Sequence, residues 1–200
     1  IYYNLKYMPE LKRCGRCLKD KLYMDYHDNE WWIPVHDDRK HFEFLLLETF
    51  QAGLSRYTIL AKRENFRKAF DNFDPVKISQ YTEAKQQELM QNAGIIRNRL
   101  KIASAITNAQ IFLEIQKKHG SWDTFIWDYT DHQGINSAMQ RSWSNSSDPH
   151  RQSLSTSPLS DQISKDLKKL GMKFVGSTVI YAHLQATGQI NDHEDTCWRK

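Results

Sequence analysis

Residues 167–181, Leu-Lys-Lys-Leu-Gly-Met-Lys-Phe-Val-Gly-Ser-Thr-Val-Ile-Tyr, decide the fold. A helix runs into this stretch with Leu159, Ile163, Leu167 and Leu170 as its apolar stripe. Ser157-Pro158 starts that helix as an N-cap followed by proline at the first helical position, and Gly171 stops it. Gly176-Ser177 opens a second helix, which Gly188 ends. Two helices joined by a short turn with glycine at each end read as a helix-hairpin-helix over about 158–187. Its glycines let backbone amides approach a phosphate, and the second helix offers its positive N-terminal end. Lys168, Lys169 and Lys173 add charge at the same edge. Gly171, Lys173, Gly176 and Ser177 are therefore candidate phosphate-backbone contacts, although an ordinary αα-corner has the same outline.

Outward from this unit, helical signals are plentiful and strand signals scarce, so the expected class is all-α. Asp37 and Asp38, after Pro34, are positioned to start a helix. From His41 to about Gln51 the sequence is apolar nearly all round, which predicts a helix buried on every face. That helix carries Glu48 inside with it, and Gly53 breaks it. Arg56–Phe70 reads as a helix with Tyr57, Leu60, Ala61 and Phe66 inward and Lys62, Arg63, Arg67 and Lys68 outward. Asp74-Pro75 reads as a turn, 82–92 as a polar helix closed by Gly94, 95–118 as a long helix before Gly120, and 121–130 as a short aromatic one. Residues 1–12 read as a poorly ordered lead-in. The polar segment 131–157 reads as a surface loop inside a single helical domain spanning 13–200.

Composition bounds the function classes. The net charge of +4 permits a polyanionic partner without requiring one. Three cysteines, an odd number, argue against a disulfide framework and for a reducing compartment. No apolar run is long enough for a membrane span, and the first dozen residues lack a signal-peptide pattern. The expectation is a soluble, cytoplasmic protein.

Three groups of residues bear chemistry. Cys14 and His27 near one end, with His193 and Cys197 near the other, supply two thiols and two imidazoles, the ligand set of a closed tetrahedral zinc site. His193 and Cys197, at i and i+4, would share a face of one helical turn. Such a clip would close nearly the whole chain into a loop and stabilise it by roughly a few kcal/mol. A Cys14–Cys17 pair, or an accident of scattered residues, is the competing reading. Second, a carboxylate in an apolar helix needs a partner or a purpose, and Glu48 stands just before the loop Gln51-Ala52-Gly53-Leu54-Ser55. Third, Tyr23 and Tyr26 sit a few residues apart before His27, and hydroxyl-bearing aromatics can clamp a flat polar ligand or simply pack.

These residues, taken in order, match a known family. Arg13-Cys14-Gly15, Tyr26-His27-Asp28-Asn29-Glu30-Trp31, Leu47-Glu48, Gln51-Ala52-Gly53-Leu54-Ser55, Lys62-Arg63-Glu64-Asn65, Phe73-Asp74-Pro75, Gly94-Ile95-Ile96-Arg97, Lys173-Phe174-Val175-Gly176 and Asn191-Asp192-His193 resemble the bacterial 3-methyladenine DNA glycosylases of the constitutive, type I kind. The resemblance covers about residues 12–198. It implies the helix-hairpin-helix glycosylase fold, with a structural zinc held by Cys14, His27, His193 and Cys197 that joins the two ends, and Cys17 left over. It implies a base pocket in which Glu48 and Tyr26 hydrogen-bond an extruded base and Tyr23 walls it, with Glu48 as the catalytic group. Gln51, Gly53, Leu54 and Ser55 would fill the gap in the duplex, Leu54 at the tip. The implied function is base excision repair, by a monomer acting on double-stranded DNA that contains alkylated bases. Methylation at N3 makes adenine a cationic, good leaving group, so recognition can carry most of the selectivity.

Three positions depart from the family pattern. Arg16 and Arg56 stand where tryptophans stack on the base, and Trp32 stands where glycine follows the Glu-Trp pair. Losing a stack costs roughly 1–3 kcal/mol per base. A guanidinium about 4 Å from a cationic base adds roughly 1–4 kcal/mol of repulsion. Against this, an arginine plane can itself stack, and Trp32 is at hand to enter the vacated space. An arginine can also pair with Glu48 and occupy the carboxylate. Two functions follow: a glycosylase removing 3-methyladenine with Arg16 and Arg56 in its base pocket, or a zinc-stapled DNA- or damage-binding homologue with weak or lost catalysis.

Overall fold

The computed structural model describes residues 11–136 and 155–200. Most of the lead-in expected at 1–12, and residues 137–154 of the polar loop, lie outside the described residues. The rest is helical: α1 Lys21–Asn29, α2 Asp38–Gln51, α3 Arg56–Ala69, α4 Pro75–Ser79, α5 Glu83–Gln91, α6 Arg99–His119, α7 Trp122–Trp127, α8 Pro158–Lys169 and α9 Ser177–Ala186. A two-residue parallel pairing of Ile135–Asn136 with Ile190–Asn191 is the extended element among the described residues.

Helix α2 is the axis of the core. Every residue from His41 to Phe50 is buried, as a run with no polar stripe demands. It packs against α3, α6, α7 and α9. Phe42 meets Phe112 of α6 edge-on, and Phe112 stacks on Trp122 of α7. On the other side Phe50 meets Phe66 and Phe70. Burying one such ring is worth about 1.5–3 kcal/mol. Side-chain caps fix where the helices start. Asp37 accepts from Lys40 N, Ser55 from Thr58 N, and Ser157 with Ser160 forms a capping box at α8.

Several local expectations need correction. On α3, Tyr57 and Ala61 are exposed and Arg63 is buried. The inward stripe is Ile59, Phe66 and Ala69, and Arg63 lies along it because Glu30 and Glu43 neutralise it there. Asp74-Pro75 is not a turn: Asp74 N-caps α4, with Pro75 in its first turn. Leu170 follows the last turn of α8 and is exposed, not part of the stripe. His193 and Cys197 lie in turns rather than on a helix. The chain reaches them through Gly188, whose φ of +87° and close approach to Pro34 leave no room for a Cβ.

Candidate functional site

Three helices converge on Glu48. Helix α2 carries the carboxylate, α1 brings Tyr26, and Arg56 is the first residue of α3, just after the Ser55 cap. Arg56 Nη1 donates to Glu48 Oε1 at 2.7 Å and to the Tyr26 hydroxyl at 3.0 Å. Its guanidinium carbon also lies 5.7 Å from the centre of the Tyr26 ring. Burial pushes the Glu48 carboxyl up and the Arg56 charge opposes it. Burial alone would lower Arg56, but Glu48 and the two tyrosines more than offset that and keep the guanidinium charged. Burial raises the Tyr26 hydroxyl as well, so it remains a protonated donor. The cavity they line with Phe44, Leu47 and Gln51 has a volume of about 10 Å³, room for about one water molecule. Chemically this is a flat, polar edge already engaged by a cation.

The other pocket candidates lie beside that edge. The Tyr23 ring centre is 6.4 Å from that of Tyr26. Arg16 sits over the Trp31 ring at 4.9 Å and does not line the cavity. Trp32 packs its ring 5.9 Å from His193, at a φ of +64° that suits glycine. Gln51 ends α2 and lines the cavity, while Gly53 at φ +81° turns the chain so that Leu54 stands out at 42 % exposure. In the α8–α9 turn Gly171 has φ +98°, Lys173 is exposed, and Gly176 caps α9. Ser177 Oγ meets Ser160 Oγ at 2.8 Å.

The second cluster joins the chain ends. Cys14 Sγ, His27 Nε2, His193 Nδ1 and Cys197 Sγ are buried and lie within 4.8 Å of one another. His193 Nδ1 is 3.1 Å from His27 Nε2 and 3.4 Å from each sulfur. Burial pushes the Cys14 thiol up to about 12 and His193 down to about 3. Four donors thus converge in an arrangement that could hold a metal ion. Cys17 stands outside, its Sγ donating to Cys14 O. His27 Nδ1 is 2.8 Å from Asp28 Oδ1, which fixes the tautomer and aims Nε2 at the centre.

Asp28 is one of three supporting residues that pattern reading passed over. Lys101 of α6 is buried, and its ammonium donates to Phe50 O at 2.8 Å and Ala52 O at 2.6 Å. It thereby caps the end of α2 and ties down the 51–55 loop. Two turns on along α6, the Asn108 side chain donates to Lys173 O and accepts from Lys173 N. One helix therefore fastens both the loop and the hairpin. The available signal is polar residues recurring on the face that Ile102, Ala105 and Ala109 bury.

The family model described as methyladenine glycosylase matches residues 16–200. The chain is 42 % identical over 187 residues to DNA-3-methyladenine glycosylase 1 of Escherichia coli (strain K12), covering 94 % of this chain and 96 % of the relative. It is 39 % identical over 186 residues to DNA-3-methyladenine glycosylase of Haemophilus influenzae, covering 92 % and 96 %. Among solved structures, 3-methyladenine DNA glycosylase I from Staphylococcus aureus, studied for its recognition of 3-methyladenine, superposes with a TM-score of 0.84 at 32 % identity, over 94 % of this chain and 96 % of that one.

Proposed function

The chain belongs to the methyladenine glycosylase family, and from that premise we propose that it excises 3-methyladenine from alkylated double-stranded DNA in base excision repair. The observation that carries this reading is a buried carboxylate and a tyrosine hydroxyl, Glu48 and Tyr26, side by side at the foot of the Gln51–Ser55 loop. Residues 13–200 act as one glycosylase domain.

In this reading the α8–α9 unit is a helix-hairpin-helix that holds the backbone through Gly171, Lys173, Gly176 and Ser177. Leu54, presented by Gln51, Gly53 and Ser55, enters the duplex where the base has left. Tyr26 and Tyr23 wall the base. Glu48 accepts from its donor edge and favours its positive charge. As the N-glycosidic bond breaks, the bonding pair stays with the base and discharges it. Water oxygen then bonds the sugar carbon and releases its proton, so little acid catalysis is needed.

The Cys14, His27, His193 and Cys197 donors suit a structural zinc. Metal–sulfur and metal–nitrogen bonds of ordinary length set neighbouring donors roughly 3.3–3.8 Å apart, close to the 3.1 and 3.4 Å separations found. Four protein ligands leave no position for a reacting water, so the ion would hold the ends of the chain together and make the two thiols thiolates.

Release of free 3-methyladenine from methylated duplex tests the activity, with Glu48→Gln expected to lower the rate on the order of 100-fold. A second reading, a damage-binding homologue with weak catalysis, is favoured by Arg56 sitting on Glu48. Duplex binding with no base released would establish it in place of the first.

A further inference from the structure

The Glu48 site already holds what a methylated base would bring. A guanidinium is planar, delocalised, positively charged and rich in N–H donors, and Arg56 spends one nitrogen on both Glu48 and Tyr26, at 2.7 and 3.0 Å. Adenine methylated at N3 offers the same combination of flatness, positive charge and donor edge. The cavity of about 10 Å³ beside them cannot take a purine while Arg56 stays. The placement is not dictated by helix α3. A cation in the first turn of a helix opposes the macrodipole, and the first turn of α3 contains no acidic residue to balance it. The charge on Glu48 is what holds the arginine there.

Resting on the 3-methyladenine reading, we propose that Arg56 is an intramolecular stand-in for the cationic base and thereby an autoinhibitory contact built into the site. Base entry is an exchange of one cation for another. The Arg56 side chain swings off Glu48, and an incoming base that carries positive charge takes over both acceptors. A neutral base leaves a buried carboxylate without a counter-charge once the arginine has gone, so discrimination between bases belongs to Glu48 and not to Arg56. The arginine therefore lowers affinity for every base by the same factor, set by the fraction of time it is seated.

The test compares wild type with Arg56→Met and Arg56→Lys on duplexes carrying 3-methyladenine or neutral hypoxanthine. Arg56→Met is expected to lower KM for 3-methyladenine at least tenfold, with little change in kcat. The preference for the cationic base over the neutral one should stay the same, because the seated arginine competes equally with both, and the KM of Arg56→Lys should lie in between. In wild type, the nitrogen-15 side-chain resonance of Arg56 should be protected from exchange. It should lose that protection when 3-methyladenine is added at a pH where the free base is cationic. This second measurement needs no variant to fold. Weaker binding by Arg56→Met, or an Arg56 signal that stays protected in the bound state, overturns the proposal by making the arginine a ligand of the base. Equal KM values in all three proteins, or a preference between the two bases that shifts with the residue at position 56, overturn it while leaving the activity intact. Failure of all three to release either base, with duplex binding retained, overturns the activity reading and this one with it.

Discussion

Tyr26 and His27 are neighbours on one helix, yet they serve clusters of opposite design. Around His27, four lone-pair donors converge, and among the described residues no cationic side chain stands among them. Around Tyr26, a carboxylate and a hydroxyl converge and the chain supplies the cation itself, Arg56. The first arrangement could hold a metal ion brought from outside. The second is complete already, and anything that binds there has to displace what it finds. If the first holds an ion and the second a base, the two differ in a single respect: whether the counter-charge is part of the chain.

The largest effect expected is at the first cluster. If an external ion completes it, chelation or Cys197→Ala removes the bond between residue 14 and residue 197, at a cost on the order of 4 kcal/mol or more. For a chain of this length that lowers Tm by roughly 8–16 °C, read by calorimetry with and without chelator. Protein purified without chelator that contains no metal, and whose Tm chelator leaves unchanged, would break the contrast on this side.

At the second cluster Glu48→Gln strands a buried guanidinium, with an expected loss of about 3 kcal/mol in denaturant unfolding. Adding Arg56→Met to the same chain should recover most of it, since the stranded charge is then gone. If the double variant is no more stable than Glu48→Gln alone, the two side chains are not a coupled pair and the internal cation loses its meaning.

Lys101 extends the theme with a smaller effect. Its ammonium caps the carbonyls of Phe50 and Ala52, and burial lowers its pKa. Lys101→Met should cost about 1–3 kcal/mol for the two acceptors left bare. It should also slow base release by loosening the loop that carries Leu54, while binding of free 3-methyladenine holds. A matching loss of free-base binding would show that Lys101 supports the pocket and not the loop.

How much of this could be read from residues alone depended on whether partners lay close in sequence. The buried α2, the Ser157-Pro158 start of α8 and the glycines that bound the hairpin are local signals, and each stands where the pattern put it. The inward face of α3 does not follow from its pattern, because that pattern has a charge on the buried stripe. Only tertiary partners, Glu30 and Glu43, make Arg63 tolerable inside. The four metal-ligand candidates emerged from residue type, but the helical turn assumed for His193 and Cys197 did not form. The turns beyond the second short strand bring Sγ and Nδ1 to 3.4 Å without one. Lys101 was passed over because nothing near it in sequence announces the carbonyls it caps. Trp32 was legible as a departure, but its cost was not, because a φ of +64° is a fact of backbone geometry.

The smallest effect concerns Arg63, a second cation of the chain's own at the edge of the Glu48 cavity. Arg63 also lines that cavity and is held by Glu30, which Lys40 contacts as well. Burial alone would raise the Glu30 carboxyl, but Arg63 and then Lys40 more than offset it and hold it below its ordinary 4.5. A carboxyl depressed in the folded state contributes stability that is fully present above the unfolded pKa and is lost as pH falls through the folded one. Wild type should therefore exceed Glu30→Gln by a constant margin above about pH 4.5, up to roughly 1 kcal/mol for a partly exposed pair. That margin should shrink only in more acidic solution, as denaturant unfolding between pH 3 and 7 would read. A margin that instead grew on acidification would mean that Glu30 is protonated more readily in the folded chain. Arg63 would then lean on Glu43 alone, and the rim of the pocket would not share the built-in charge balance of its floor.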